Sequence, residues 1–428
     1  MALVQPTRLR PRGKPRDARF FARLLLVLAS AASAEARESE PGPVLTESEA
    51  VAHALRRAPL RDTVEGDVTA EQGRGRAAGA YPNPQLAFTR EQTFGASGSR
   101  EDYLSLAQTL DLGARRALQG EAGEARARAA RREGDAAGLS VAAEARLRFH
   151  EVLYRQARVR TLEGWGERIE QALTFVTRRE QRGDAATYDR RRVERERAVA
   201  TGRLETEQAA LERARARLQA LLGADVPAPG VTGTLLPDTD PAELPALRAS
   251  SGSRPELLAL DLRIEAATLE HRAASRWWAP DLLLEGGWKG VDLGGQGRTD
   301  GFLLGASLSL PLWDRSSGLA HLAAGEARAA RGRRALLESE LDGELAGARA
   351  EAVRLRRAAA EFHERTTEVS SELVRIASAG YAGGELGLLE LLDAYRGATD
   401  DFLTALDMAH AARRARIELD RLTGVGLP

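Results

Sequence analysis

The sequence predicts a mainly α-helical chain with four β-strands, folded twice over on one plan. Three observations predict it. The two halves repeat the same landmarks in the same order: Pro59 to Pro84 parallels Pro255 to Pro280, Ala122-Gly-Glu-Ala-Arg answers Ala324-Gly-Glu-Ala-Arg, and Gly183-Asp answers Gly384-Glu. Two proline-free stretches, 85–226 and 312–427, are rich in Ala, Arg, Glu and Leu, as long helices are. Short alternating segments follow Pro84 and Pro280 and read as two β-hairpins.

Taken in order, the chain opens with Arg8, Arg10, Arg12, Lys14, Arg16, Arg19 and Arg23, then an apolar run from Leu24 and small residues ending Ala32-Ser-Ala34. That order of basic, apolar and small residues predicts a secretory signal over 1–34. The first repeat then spans 35–225. Thr46-Glu-Ser-Glu49 has the spacing of a capping box, in which the hydroxyl accepts from an orphan amide and the glutamate reaches back, so a helix should start there and run toward Pro84. Ser253-Arg-Pro-Glu256 has the same spacing at the head of the second repeat, 253–428, and its helix should run toward Pro280. Between the repeats, 226–252 holds Pro227, Pro229, Pro237, Pro241 and Pro245 among glycines and serines and reads as a linker.

The strands are expected over 85–93 with 102–112 and over 281–291 with 302–312. In the second pair Leu282, Leu284 and Trp288 share one face, as do Phe302, Leu304, Ala306, Leu308 and Leu310. Trp277 and Trp278 precede that pair and suit either an interface aromatic belt or packing on the helix. Past the hairpins the apolar residues step by threes and fours. Ala145, Phe149, Val152, Gln156 and Val159 do so in the first repeat, then Ile169, Leu173 and Val176. The second-repeat seam runs from Leu337 and Leu341 through Leu345, Ala352 and Ala359 to Val369, Leu373 and Ile376, and restarts after Gly384 with Leu388, Leu392, Tyr395 and Thr399. The glycines therefore mark turns between antiparallel helices. A helix of roughly 60 residues is about 90 Å long, so the molecule should be elongated.

Composition narrows the function. The 62 basic and 62 acidic residues cancel, so no net field draws the chain to nucleic acid. Cysteine is absent, which excludes disulfides, thiolate metal sites and a lipidated N-terminal cysteine. The six histidines lack metal spacing and read as isolated surface or packing residues. No phosphate-binding glycine loop, nucleophile elbow or compact carboxylate pair is present, so the sequence indicates neither catalysis nor a cofactor. Each predicted strand has about the 9 to 11 residues that cross a bilayer at a tilt. Four strands cannot close a barrel, and open edges in lipid leave amides unsatisfied, so the chain should oligomerise; three copies supply twelve strands.

The order of signal, capped helix, hairpin, long helix pair, linker and repeat resembles the TolC type of outer-membrane efflux proteins. The resemblance is carried by Leu45-Thr-Glu-Ser-Glu-Ala-Val-Ala-His-Ala-Leu, Tyr81-Pro-Asn-Pro-Gln-Leu, Ser309-Leu-Pro-Leu-Trp313 and Gly384-Glu-Leu-Gly-Leu-Leu-Glu-Leu-Leu-Asp-Ala-Tyr-Arg396. It implies a homotrimer in outer-membrane lipid, with a twelve-stranded barrel above a periplasmic helical tunnel, joined through a periplasmic adaptor to an inner-membrane efflux pump. It further implies that Arg182, Gly183, Asp184, Gly383, Gly384 and Glu385 are adaptor-contact tips. Glu390 and Asp393 fall where the family narrows its aperture with acidic residues; the first repeat has Asp189 and Arg192 at those offsets, replacing one acid by a cation. Pro82-Asn-Pro84 and the missing lipidation cysteine lean toward the heavy-metal efflux branch. The alternative is a periplasmic adaptor or coiled-coil scaffold protein, which would carry one helical hairpin rather than a duplication with two strand pairs.

Overall fold

A computed structural model describes residues 44–95, 98–224, 226, 230–293 and 297–424. The signal expected over 1–34 lies outside the described residues, as do parts of both hairpin loops and Pro227 and Pro229 of the linker. The first repeat contains α1 (Glu47–Leu55), α2 (Ala58–Gly79), β1 (Gln85–Gln92), β2 (Arg100–Asp111), α3 (Arg115–Gln181) and α4 (Thr187–Leu222). The second contains α5 (Leu244–Ser251), α6 (Pro255–Ser275), β3 (Asp281–Asp292), β4 (Arg298–Leu308), α7 (Ser317–Gly383) and α8 (Leu388–Thr423). The fold is thus mainly α with a four-stranded sheet, and each repeat has the same six elements.

Local chemistry accounts for the boundaries and for three departures from expectation. Thr46 closes the capping box on α1, with its hydroxyl accepting from the Glu49 amide while Glu49 accepts from the Thr46 amide. The first helix is two helices, however, because Pro59 can sit only in a first turn and so restarts the chain as α2. The second capping box does not form: the N-cap of α6 is Arg254, which makes no side-chain cap bond. Its buried guanidinium instead pairs with Glu256 and donates to the Leu422 carbonyl at 3.2 Å, tying α6 to the end of α8. Strand β4 covers 298–308 rather than 302–312, since Pro311 has no amide for a ladder and the strand pairs fully with β3 from Arg298 onward. Helix α5 lies in the segment read as linker and occupies, in its repeat, the place of α1.

The sheet runs β1-β2-β3-β4, antiparallel throughout, and its outer edges are β1 and β4. Register sets Leu86 opposite Leu106, Leu104 opposite Trp288, Trp288 opposite Phe302, and Leu282 opposite Leu308. One face is therefore an apolar belt, and Phe302 and Leu304 remain 82% and 77% exposed on it. Toward the hairpin loops the same face turns charged, with Arg90 and Arg100 on Asp102 at 2.6 and 2.9 Å. At the opposite end stand two exposed tryptophans, Trp278 and Trp313. Trp277 is half-buried beneath the guanidinium of Arg315. No described helix is long and apolar enough to cross a membrane.

Helices α3 and α7 each have 67 residues and α4 and α8 each have 36, so the long helices extend about 100 Å. Below the sheet, α2 packs on α3, α3 on α6, and α6 on α7. Glycine sets the first contact: a Cβ on Gly123 would lie 2.1 Å from the Gly75 Cα, so only paired glycines allow this crossing. At mid-height Phe149, Val152, Leu153 and Leu218 bury against Leu45 and Val231. The residues after Val231 cross the second repeat as a belt. Arg413 donates to the carbonyls of Thr234, Leu235 and Leu236 at 2.9 to 3.0 Å, and Arg356 pairs with Asp240 at 2.5 Å. A separate core nearer the turns joins both repeats, with Trp165, Ile169 and Val193 packed among Tyr381, Leu388, Leu392 and Tyr395. The second-repeat seam departs here from the sequence reading. Val369, Leu373 and Ile376 are about half exposed, and the buried line passes instead through Ser370 and Ala377 to Tyr381.

Candidate functional site

The two helical turns at the end remote from the sheet have one construction. Gly183 adopts φ 84° and Gly384 φ 78°, the left-handed region where a Cβ is penalised. In the first turn the Asp184 amide donates to the Arg179 carbonyl and the Gly183 amide to Glu180, both at 2.9 Å. In the second the Glu385 amide donates to Gly380 at 2.8 Å and the Gly384 amide to Tyr381 at 3.3 Å. Both are Schellman caps, which satisfy the last carbonyls of each long helix and reverse the chain within a few residues. Arg182, Gly183 and Asp184 therefore sit together on one apex, and Gly383, Gly384 and Glu385 on the other, all six exposed.

The two turns share a backbone but not a side-chain lock. In the first, Arg190 reaches Glu180 at 2.6 Å and also pairs with Glu194, clamping the start of α4 to the end of α3. In the second, the equivalents of Glu180 and Arg190 are Tyr381 and Leu391, both buried, so an apolar contact replaces the ion pair. Tyr381 also joins the repeats. Phe175 lies 5.4 Å from it ring to ring, and the Arg179 guanidinium 5.9 Å from its centroid. Burial raises the Tyr381 phenol, with the charge of Arg179 opposing and that of Asp189 reinforcing the shift.

The remaining sequence-selected residues lie along the returning helices. Glu390 and Asp393 are exposed on the first turns of α8 and make no ion pair among the described residues. Asp189 and Arg192 are half-buried on the first turns of α4. Asp189 comes near Tyr381 of the other repeat, whereas Arg192 and Asp393 form no ion pair with each other among the described residues.

Sequence reasoning overlooked the strongest polar contact of this region. Glu196 is 1% exposed and receives Arg396 with both carboxylate oxygens, the Nε bond being 2.8 Å. The pair spans the two returning helices, which pack mainly on the long helices rather than on each other. Arg203 and Asp400 bridge the same helices at 3.3 Å. A signal was present: Glu196 falls between Val193 and Ala200 on the buried stripe, where a carboxylate needs a partner.

An antiparallel four-stranded sheet with an exposed apolar belt surmounts two helical hairpins about 100 Å long. Residues 247–425 match the family model described as Outer membrane efflux protein, and the first repeat has the same architecture as that segment. The chain is similar in structure to a membrane protein from Pseudomonas aeruginosa, at TM-score 0.71 and 23% identity over 89% of this chain and 90% of that one. It is similar to the outer membrane protein VceC of Vibrio cholerae at TM-score 0.69 and 18% identity, over 89% and 97% of the two chains. It is also similar to CusC, described in terms of transmembrane channel formation, at TM-score 0.67 and 18% identity over 89% and 92%. No curated protein matches the sequence.

Proposed function

We propose that three copies close into a passive exit duct that takes substrate from an inner-membrane efflux pump through a periplasmic adaptor. The observation that carries this reading is the open sheet. Strands β1 and β4 are edges of a sheet whose outward face is apolar, and unsatisfied amides in lipid cost several kcal/mol each, so the edges require partners. Pairing β4 of one copy with β1 of the next gives twelve strands and sets α7 beside the neighbour's α2, continuing the wall downward. The exposed Leu319, Leu322 and Leu336 of α7 are available to that contact. The chain performs no chemistry in this reading; the pump supplies the energy and selects the cargo. Metal ions or small toxic compounds are the proposed cargo class, on the likeness of Pro82-Asn-Pro84 to the heavy-metal branch.

Glu390 and Asp393 are proposed to line the periplasmic aperture, with Asp189 and Arg192 at the equivalent first-repeat positions and the six apex residues contacting the adaptor. Fractionation with unheated gel electrophoresis should give a trimer in the outer membrane; a soluble periplasmic monomer overturns the duct. Glu390→Ala with Asp393→Ala should raise single-channel conductance, and unchanged conductance returns both residues to an ordinary solvated face. Growth of a deletion strain on a panel of metals and drugs identifies the cargo.

A further inference from the structure

The two apices carry opposite charge once internal ion pairs are removed. Around the first, Glu180 and Glu194 are consumed by Arg190 and Arg191. Arg178, Arg182, Arg192 and Arg195 make no ion pair among the described residues, against two unpaired carboxylates, Asp184 and Asp189. Around the second, Glu385, Glu390 and Asp393 make no ion pair among the described residues, Arg396 is committed to Glu196, and Arg179 of the first repeat lies over the Tyr381 ring. Each apex also carries one exposed apolar side chain. Tyr188 and Leu389 occupy the same place in the two repeats, beside each turn, and remain 71% and 52% exposed. An exposed tyrosine rimmed by arginine has the residue make-up enriched at interface centres, and Leu389 offers apolar area at the equivalent place.

We propose that the periplasmic end is a docking ring of alternating sign, fitted to a partner whose helical-hairpin ends present an apolar groove flanked by one acidic and one basic face. The acidic face meets the arginine-rimmed Tyr188 apex, and the basic face meets the carboxylate-rimmed Leu389 apex. A partner of single sign is repelled at every second apex. The inference rests on the trimeric duct proposed above, and names the chemistry of the partner at its tips.

The test uses the full-length protein in detergent and three designed helical hairpins of equal length: ends all Glu, ends all Lys, and ends with one Glu face and one Lys face. The mixed hairpin should bind about tenfold more tightly than either other, and the preference should shrink between about 50 mM and about 500 mM salt. Arg178→Glu, Arg182→Glu and Arg192→Glu together should make the all-Lys hairpin the preferred ligand. Tyr188→Ser with Leu389→Ser should weaken the mixed hairpin while leaving the trimer intact on unheated gels. Equal or absent binding of all three hairpins to a trimer that conducts overturns this inference alone. A preparation that neither trimerises nor conducts overturns the duct itself.

Discussion

At the scale of single residues, the burial of charge decides most of what can be tested. The Glu196 carboxylate is out of solvent and satisfied by a guanidinium from the other repeat. Arg396→Ala leaves it buried and unpaired, at a cost of about 3 to 5 kcal/mol, whereas replacing both partners by leucine should cost far less. Thermal unfolding followed by circular dichroism checks the order of the variants; equal losses would show that the pair itself, and not the stranded charge, is what matters. A second test concerns acid. His410 stacks on Tyr154 with ring centroids 4.3 Å apart and lies 3.4 Å from Glu151. Burial carries it down to about 4, and Arg414 and Arg155 add to the shift while Glu151 opposes it. Burial also lowers His150, against the pull of Glu47 at 2.9 Å. A histidine whose folded value lies below its unfolded one is protonated first in the unfolded chain. Its neutral form therefore supports the fold above about pH 6.5, and that support is lost as the pH falls toward 4. The unfolding midpoint should drop across this window, and His410→Phe, which keeps the ring stack, should flatten the drop. Neither histidine was legible as a network residue in sequence, because His150 on α3 meets Glu47 of α1 and His410 on α8 meets Tyr154 and Glu151 of α3, far away in the chain.

At the scale of elements, the duplication supplies its own controls. The motif Ala-Gly-Glu-Ala-Arg occurs in both repeats, yet a Cβ on Gly123 meets the Gly75 backbone and one on Gly325 meets open space. Gly123→Ala should therefore force α2 from α3 and lower the melting temperature. Gly325→Ala should be neutral or stabilising by up to about 1 kcal/mol, from helix propensity. Comparable destabilisation by both would mean that the crossing is looser than its geometry. Sequence rendered the long helices well because heptad spacing is local, and the turns well because Gly183 and Gly384 are the residues a left-handed cap needs. It rendered less well what depends on a neighbour. Seam spacing alone could not say that Val369, Leu373 and Ile376 would face outward, nor that Arg254 would leave its cap to hold the Leu422 carbonyl.

At the scale of the whole molecule, the apolar belt is the feature with the largest consequence for assembly. Leu304 points to the belt and Ser307 to the opposite face, by the alternation of β4 and its pairing with Gly286 and Leu283. A lysine at Leu304 would meet lipid near mid-height at a cost of about 2 to 4 kcal/mol, whereas Ser307→Lys should be tolerated on the inner face. The heat-modifiable trimer band on gels, compared between the two variants, measures this; equal assembly would place the belt away from lipid. The repeat, the hairpins and the alternation were all readable in sequence, so the architecture of the single chain was too. The proposed aperture was not, since Asp189 and Arg192 on α4 make no ion pair with Glu390 and Asp393 on α8 among the described residues.

The belt of chain after Val231 has one more implication. It is fastened to α8 by Arg413 and to α7 by Arg356, well above the turns. Fastening at that height makes it a fulcrum. Roughly 40 Å of helix hangs below Arg356 before Gly384, so a tilt of about 5° at the fulcrum sweeps the apex sideways by about 3 to 4 Å. A tilt of that size at the girdle equals a displacement the width of an ion at the far end.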